Sequence, residues 1–252
     1  MKEVSLIVKI KPLLFIINDF PLFLEVKPLV TSIHASLCNK IPDFKAGIIT
    51  YDGIQVGDSP QMVKGRLQLF QESIFFDLQE KELTDFQGIK EWRQVFKAAG
   101  TDPSRYRPSA EALYRRIKKQ NYLPSVNSAI DLNNFFSLQY EVPIGIYDTD
   151  QVSGDTVIKI GESGDDYTGI NGRTNSMHNM IASADGQGTF GSPFVDSERT
   201  KVTEETKNAL QIIYLRPSIT IEDGLKLTES LMDMFVQVHG GEATCKVITC
   251  KG

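Results

Sequence analysis

Hydrophobic residues recur at helical spacing in the first half of the chain. The longest stripe runs from Val63 to Leu78, with successive apolar positions four and three residues apart. This spacing is typical of one face of an amphipathic helix. Asp58-Ser59-Pro60 precedes the stripe, and a capping residue followed by proline is typical of a helix start. The pattern therefore predicts a long helix that begins near residue 60.

The same pattern predicts three further helices downstream. One runs from about Ile89 to Ala99 and is expected to end at Gly100, because glycine favours helix C-termini. Ser109 is expected to cap the next helix, which reaches about Lys119. Ser128 is expected to cap a fourth, in which Asp131 completes a pair resembling a capping box.

After residue 142 the pattern changes to short apolar runs typical of strands. The strand candidates in this part are residues 143–147, 156–160, 180–183, 209–214 and, at the end, 243–249. One earlier run, residues 46–50, is also a strand candidate. Seven glycines between residues 161 and 191 indicate turns, and a last helix is predicted from Ile221 to His239. Helices followed by strands, without regular alternation, favour an α+β fold.

Composition sets the number of domains and limits the classes of partner. The chain has 252 residues, of which 41% are hydrophobic, so it is long and apolar enough for one large domain or one domain plus an arm. Residues 12–30 form an apolar run that Asn18, Asp19 and Pro21 interrupt, so we interpret it as an extra arm rather than a targeting or membrane segment. The net charge of −5 argues against non-specific RNA binding but leaves room for a local basic patch.

The cysteines and histidines show no spacing typical of a disulfide framework or a metal site. Three cysteines, Cys38, Cys245 and Cys250, are an odd number without paired spacing, which favours a reducing compartment and a cytoplasmic location. The three histidines lie far apart in the sequence. We therefore expect neither a structural metal nor a cofactor.

The segment 101–120 is locally basic. Its six cations stand against only two carboxylates, Asp102 and Glu111, and they are Arg105, Arg107, Arg115, Arg116, Lys118 and Lys119. With Tyr106 and Tyr114 nearby, such a segment fits a clamp for phosphates with aromatic rings available for base stacking. The alternative is a solvated helix face whose charges pair with the rest of the protein.

Two polar stretches are candidates for the rim of a cleft. Asn127, Asp131 and Asn134 surround a predicted helix start, and Asn134 shares a helix face with the apolar Leu138. Buried polar groups need partners, so such clusters either line a site or cap the helix. Residues 196–208 contain many donors and acceptors and no aromatic residue, which fits either a site rim or a capped helical turn.

Several linked motifs resemble one known family. They include Glu91-Trp-Arg, Phe96-Lys-Ala-Ala-Gly, Asp102-Pro-Ser-Arg-Tyr-Arg-Pro-Ser109, Leu123-Pro-Ser-Val-Asn, Pro143-Ile-Gly-Ile-Tyr-Asp148 and Ser197-Glu-Arg-Thr-Lys-Val-Thr-Glu-Glu-Thr-Lys-Asn208. Their order resembles the tRNA-editing domain of the phenylalanyl-tRNA synthetase β chain, in its free-standing branch. The resemblance covers roughly residues 33–250, so we expect an N-terminal extension at 1–32 and a single domain at 33–252. It implies a three-layer α+β fold, with a central mixed, sandwich-like sheet flanked by helices and a cleft for the aminoacylated end of tRNA.

The resemblance also shows where this sequence departs from the family. The family's threonine–asparagine pair falls on Asn133 and Asn134, so only the asparagine is kept. Its histidine falls on Gly145, and its glutamate falls on Ile212 or the neighbouring Gln211. The loss of histidine and glutamate argues against editing of tyrosine esters. Replacement of the histidine by Gly145 is expected to enlarge the pocket.

The resemblance and the polar clusters together give a set of candidate site residues. We expect Asp131 and Glu198 to position water, since ester hydrolysis needs an activated water molecule. Substrate binding is assigned to Asn127, Asn133, Asn134, Gly145, Tyr147, Asp148, Arg199 and Thr200, and we expect Asn127, Asp131, Asn134, Tyr147 and Glu198 to converge on one pocket. Two functions stay open: hydrolysis of misacylated tRNA in trans, and non-catalytic binding of RNA or a small aminoacyl-like ligand.

Overall fold

The computed structural model describes residues 29–251. Its six α-helices are α1 Ala35–Lys40, α2 Gln61–Glu80, α3 Gln87–Ala99, α4 Ser109–Lys118, α5 Ser128–Tyr140 and α6 Ile221–His239. Its ten strands are β1 Thr31–Ile33, β2 Lys45–Asp52, β3 Ile144–Asp148, β4 Thr156–Ile160, β5 Asp166–Thr168, β6 Thr174–Ser176, β7 Ile181–Asp185, β8 Gly188–Gly191, β9 Ala209–Leu215 and β10 Glu242–Thr249. The predicted α+β class is confirmed.

Two four-stranded sheets and a layer of helices form the three layers. The central sheet has the order β10-β2-β9-β3 and is antiparallel throughout. The outer sheet has the order β1-β4-β7-β8, and it is mixed because β1 pairs with β4 in parallel. A separate hairpin joins β5 and β6.

Alternate residues of β9 show how the central sheet joins the other two layers. Leu210, Ile212 and Tyr214 pack into one core with residues of the outer sheet, including Ile158. Ile213 packs into a second core, which α5 and α6 cover. This alternation follows from the two-residue period of a strand, which sends successive side chains to opposite faces. The sheet therefore separates any site between the two sheets from any site under the helices.

The predicted helices are present, but three of their starts are built differently from the prediction. Pro60 and Pro108 occupy the N-cap positions of α2 and α4 without a side-chain bond, so neither Ser59 nor Ser109 caps. The cap of α5 is Asn127, whose side chain accepts from the Ile130 amide, rather than the expected Ser128. Proline has no N–H to satisfy, and its fixed φ suits a helix start, so α2 and α4 begin at proline without a side-chain cap.

Two further expectations need correction. The spacing of the cysteines does not predict a disulfide, yet Cys38 in α1 and Cys250 after β10 are bonded, with 5.4 Å between their Cα atoms. The two cysteines lie 212 residues apart, and only the return of β10 beside α1 brings them together. Residues 1–28, most of the predicted arm, lie outside the described residues, and the expected boundary after residue 32 falls within β1.

Candidate nucleic-acid interface

A groove on the surface of α4 gathers most of the predicted RNA-binding residues. It has a volume of about 400 Å³, and we call it the basic groove; its lining residues are Leu83, Arg107, Ala112, Arg115, Arg116, Lys118, Lys119 and Asn121. Ala112, Arg115, Arg116 and Lys119 share one face of the helix because they lie at i, i+3, i+4 and i+7. The short side chain of Ala112 leaves a hollow between the long cations.

The cations of the basic groove differ in their pairing. Arg115 donates from Nε to Glu111 at 2.8 Å, and Lys118 contacts Glu82 at 3.1 Å. Within residues 29–251, no carboxylate lies within ion-pair distance of Arg107, Arg116 or Lys119, all of which are exposed. Cations in the last turn of a helix also complement its dipole, which is a structural reason for Arg115 and Arg116. Arg107 precedes the helix, so the dipole does not account for it.

The remaining members of the basic segment take different positions. Arg105, the sixth predicted cation, does not line the groove, and its guanidinium lies 5.2 Å from the ring centre of Tyr106. Tyr106 is half-buried against Phe194, and Tyr114 is buried with its hydroxyl donating to the Leu138 carbonyl. The expectation that both tyrosines are available for base stacking is therefore wrong for Tyr114.

Asp131 has a structural role at the start of α5. Its carboxylate accepts from the Ser59 hydroxyl at 2.6 Å, the Ser125 hydroxyl at 2.5 Å and the Val126 amide at 2.9 Å. The side chain is fully buried, and three donors satisfy it without a water molecule. Asn127 beside it is the helix cap, so this pair fastens the loop before α5.

A second buried polar cluster lies between α5 and the central sheet. Gln211 donates from Nε2 to Asn133 in a short hydrogen bond and accepts from the Tyr51 hydroxyl at 2.7 Å. Burial raises the pKa of Tyr51 well above its usual range. The structure thus joins Asn133 with Gln211, two positions that the family resemblance singled out. Asn134, one residue further, is half-buried.

The other face of the central sheet carries a different network. Tyr147 donates to Asp196 at 2.7 Å and bonds to Tyr214, whose hydroxyl lies 3.0 Å from that of Ser183. We call these four residues the inter-sheet network. A side chain at Gly145 would overlap the Tyr147 hydroxyl and approach Asp196 to 3.0 Å. The expected enlargement of the pocket at Gly145 is therefore wrong, because Tyr147 fills that space.

Asp196 is the most strongly perturbed carboxyl group of this network. The residue as a whole is half-buried, whereas its carboxyl group is enclosed. This burial raises its pKa to about 7, although hydrogen bonds from Tyr147 and the Ser192 amide act in the opposite direction. Sequence reasoning missed Asp196, which was only the first residue of a polar stretch. Nothing in the local sequence indicates that Tyr147 reaches it.

The remaining candidates stabilise loops. Asp148 accepts from the Thr206 hydroxyl at 2.7 Å, and its amide donates to the Thr200 carbonyl at 2.9 Å. Arg199 forms a two-point contact with Asp185, with both distances 3.0 Å. The side chain of Glu198 is 41% exposed and contacts Lys201 at 2.6 Å. Asp148 and Arg199 thus connect the 196–208 segment to strands β3 and β7, whereas the Glu198–Lys201 pair is local to that segment.

The expected convergence on one pocket does not occur. Asn127 and Asp131 lie on the helical side of the central sheet, and Tyr147 lies between the sheets. Glu198 is at the surface, where its amide donates to the Thr168 carbonyl at the end of β5. Among the candidate site residues within 29–251, five of the six cations predicted to bind RNA line one concave surface, the basic groove.

Residues 29–251 contain no group of three or more histidine, cysteine, aspartate or glutamate side chains placed to hold a metal ion. No helix in the same range has the length and apolarity required to cross a bilayer.

Comparisons with known proteins define the family. Residues 91–228, more than half of the chain, match the B3/4 domain. The chain therefore belongs to the B3/4 domain family. It is 36% identical over 204 residues to the uncharacterized protein YhzB of Bacillus subtilis, and the match covers 81% of this chain and 92% of that protein.

Two more distant matches are to β subunits of phenylalanyl-tRNA synthetases. The β subunit of phenylalanine–tRNA ligase from Fusobacterium nucleatum is 23% identical over 112 residues, which are 43% of this chain but 14% of that subunit. An N-terminal fragment of the phenylalanyl-tRNA synthetase β subunit from Pyrococcus horikoshii aligns with a TM-score of 0.43 and 13% identity, over 86% of this chain and half of the fragment. The family prediction is confirmed; tRNA binding and editing remain predictions.

Proposed function

We propose that this protein binds RNA, with tRNA as the candidate ligand, through the basic groove. One observation carries the proposal: five of the six cations predicted from the sequence line the same groove. Three of them, Arg107, Arg116 and Lys119, have no carboxylate partner within residues 29–251. Unpaired, exposed guanidinium and ammonium groups are the usual partners of a phosphate backbone.

The negative net charge of the whole chain favours binding of RNA at this groove over binding elsewhere on the surface. With a net charge of −5, the chain as a whole repels a polyanion, so an RNA backbone gains attraction where cations cluster. Counterion release on phosphate neutralisation then supplies the free energy of binding. We expect an affinity that falls steeply as salt is added.

Of the two functions left open by the sequence, non-catalytic binding is the better supported. Asp131 already accepts three hydrogen bonds, and Glu198 is at the surface and paired with Lys201. A general base must lie within hydrogen-bond reach of the attacking water and of the ester. Neither carboxylate faces the basic groove, so RNA held there does not bring an ester to them.

The proposal is tested by fluorescence anisotropy with labelled tRNA. The groove variant replaces Arg107, Arg116 and Lys119 by alanine. The control variant replaces Arg66, Arg173 and Lys207, which are exposed, lie outside the groove and give the same loss of charge. We expect the groove variant to lose at least about tenfold in affinity, and the control to lose less than about threefold.

Equal losses in the two variants would show that binding follows total charge rather than the groove. Catalysis is tested separately, by incubating the wild-type protein with a panel of aminoacylated tRNAs. We expect no ester to be hydrolysed faster than in buffer. Hydrolysis of any of these esters by the wild-type protein would overturn the non-catalytic assignment.

A further inference from the structure

A buried carboxylate lies directly behind the basic groove. The side chain of Glu111 in α4 is fully buried, and it holds two arginines. Arg93 of α3 donates from Nη1 to both carboxylate oxygens, at 2.9 and 3.0 Å, while Arg115 donates from Nε at 2.8 Å. A buried charge costs free energy unless it is paired and hydrogen-bonded. The folded protein is therefore more stable when both arginines stay bonded to Glu111.

The two arginines have different surroundings. Arg93 is the inner partner, with 23% of its side chain exposed, and it links α3 to α4. Arg115 lies one helical turn after Glu111, lines the basic groove and keeps 44% of its side chain exposed. In the described chain, the Nη atoms of Arg115 make no hydrogen bond to protein.

The way Glu111 holds Arg115 fixes the direction of the guanidinium group. A guanidinium is planar, so a bond at Nε sets the orientation of both Nη atoms. Those two atoms then form a fork that matches two oxygens of one phosphate group. A lysine at this position would keep the charge and can still pair with Glu111 at i,i+4 spacing, but it has no planar fork to present to a phosphate group.

We infer that Glu111 is a positioning residue that holds Arg115 for a two-point contact with a phosphodiester of bound RNA. The inference rests on the proposed function. It makes Arg115 different from its neighbour Arg116, which has no carboxylate partner in the described chain and contributes charge without a fixed direction.

The test compares two conservative variants of adjacent exposed residues, Arg115→Lys and Arg116→Lys, in tRNA anisotropy titrations. We expect Arg115→Lys to weaken binding by about tenfold or more, and Arg116→Lys by less than about threefold. Both variants keep the charge, so the slope of log affinity against log salt should stay at the wild-type value. Equal effects of the two variants on affinity would overturn the inference.

A second variant, Glu111→Gln, tests Glu111 itself, because the two explanations predict opposite changes in tRNA affinity. Glu111→Gln removes a negative charge behind a phosphate site, so a purely electrostatic account predicts tighter binding. The positioning account predicts weaker binding, because a neutral amide holds Arg115 less firmly. Tighter binding by a folded Glu111→Gln would therefore contradict the inference. If this variant fails to fold, the two lysine variants decide.

Two further comparisons distinguish a backbone phosphate from the terminal phosphate of the tRNA, and the proposed function from the role of Glu111. Removal of the 5′-terminal phosphate from the tRNA should leave the effect of Arg115→Lys unchanged, since the contact is assigned to the backbone; disappearance of the effect would overturn that assignment. Failure of wild-type protein to bind tRNA at low salt would refute the proposed function. Binding with indistinguishable lysine variants would refute only the role of Glu111.

Discussion

Protonation of Asp196 should make stability depend on pH in an unusual direction. Its folded-state pKa of about 7 lies above the ordinary value of about 3.9 expected in the unfolded chain. The folded protein therefore binds this proton more tightly, and the stabilisation is complete below the unfolded pKa. It declines as pH rises and is lost above the folded pKa. Between pH 5 and pH 8 the loss is about 3 kcal/mol.

Other groups act in the opposite direction and must be separated from Asp196. Burial lowers the pKa of His239, so its contribution to stability is present above about pH 6.5 and is lost as pH falls. The difference between wild type and Asp196→Asn removes these contributions, because the asparagine does not titrate and its side-chain oxygen still accepts from Tyr147. We expect this variant to gain about 3 kcal/mol relative to wild type between pH 5 and pH 8.

Thermal unfolding followed by circular dichroism measures this difference. For a protein of this size, about 3 kcal/mol corresponds to a relative shift of roughly 6–12 °C in Tm. Asp165→Asn is a matched control. Burial alone would raise the pKa of Asp165, but its bonds to Lys159 and the Glu162 amide outweigh burial and lower this pKa. The contribution of Asp165 to stability is therefore lost only in acid. Parallel wild-type and Asp196→Asn curves from pH 5 to pH 8 would refute the raised pKa of Asp196.

Three further outcomes follow from the contacts. Cys38→Ser should lower the free energy of unfolding by up to about 5 kcal/mol, because the disulfide closes a loop of 212 residues, and wild type treated with reductant should show the same loss in urea unfolding. Gly145→Ala should destabilise by about 1–3 kcal/mol, since a methyl group overlaps the Tyr147 hydroxyl, and the double variant with Tyr147→Phe should recover part of this loss. Arg199→Ala should cost about 1–3 kcal/mol, because Asp185 loses its arginine and keeps only the Ser153 and Gln187 amides, yet it should leave tRNA affinity unchanged; a loss of affinity at full stability would instead place Arg199 in the binding surface.

The sequence was most informative where a contact is local. The stripe from Val63 to Leu78 predicted α2, and Gly100 ends α3 in the left-handed conformation as expected. The basic segment was predicted to bind phosphate, and its grouping into one groove depends on helical spacing that can be read from the sequence. Local periodicity carries this information because the geometry of a helix is fixed.

The features that the sequence did not reveal depend on distant residues. Asp131 was interpreted as a catalytic candidate because a sequence does not show that Ser59 donates to its carboxylate from 72 residues away. Asp196 meets Tyr147 across 49 residues, and Cys38 meets Cys250 across 212. Such pairs are set by the packing of layers, which local patterns do not encode.

The salt dependence of tRNA binding by the groove variant tests directly whether RNA lies in the basic groove. If Arg107, Arg116 and Lys119 each neutralise one phosphate, their removal should reduce the slope of log affinity against log salt by about 2–3. The control variant at Arg66, Arg173 and Lys207 should keep the wild-type slope. A groove variant with an unchanged slope would contradict the claim that RNA binds in this groove.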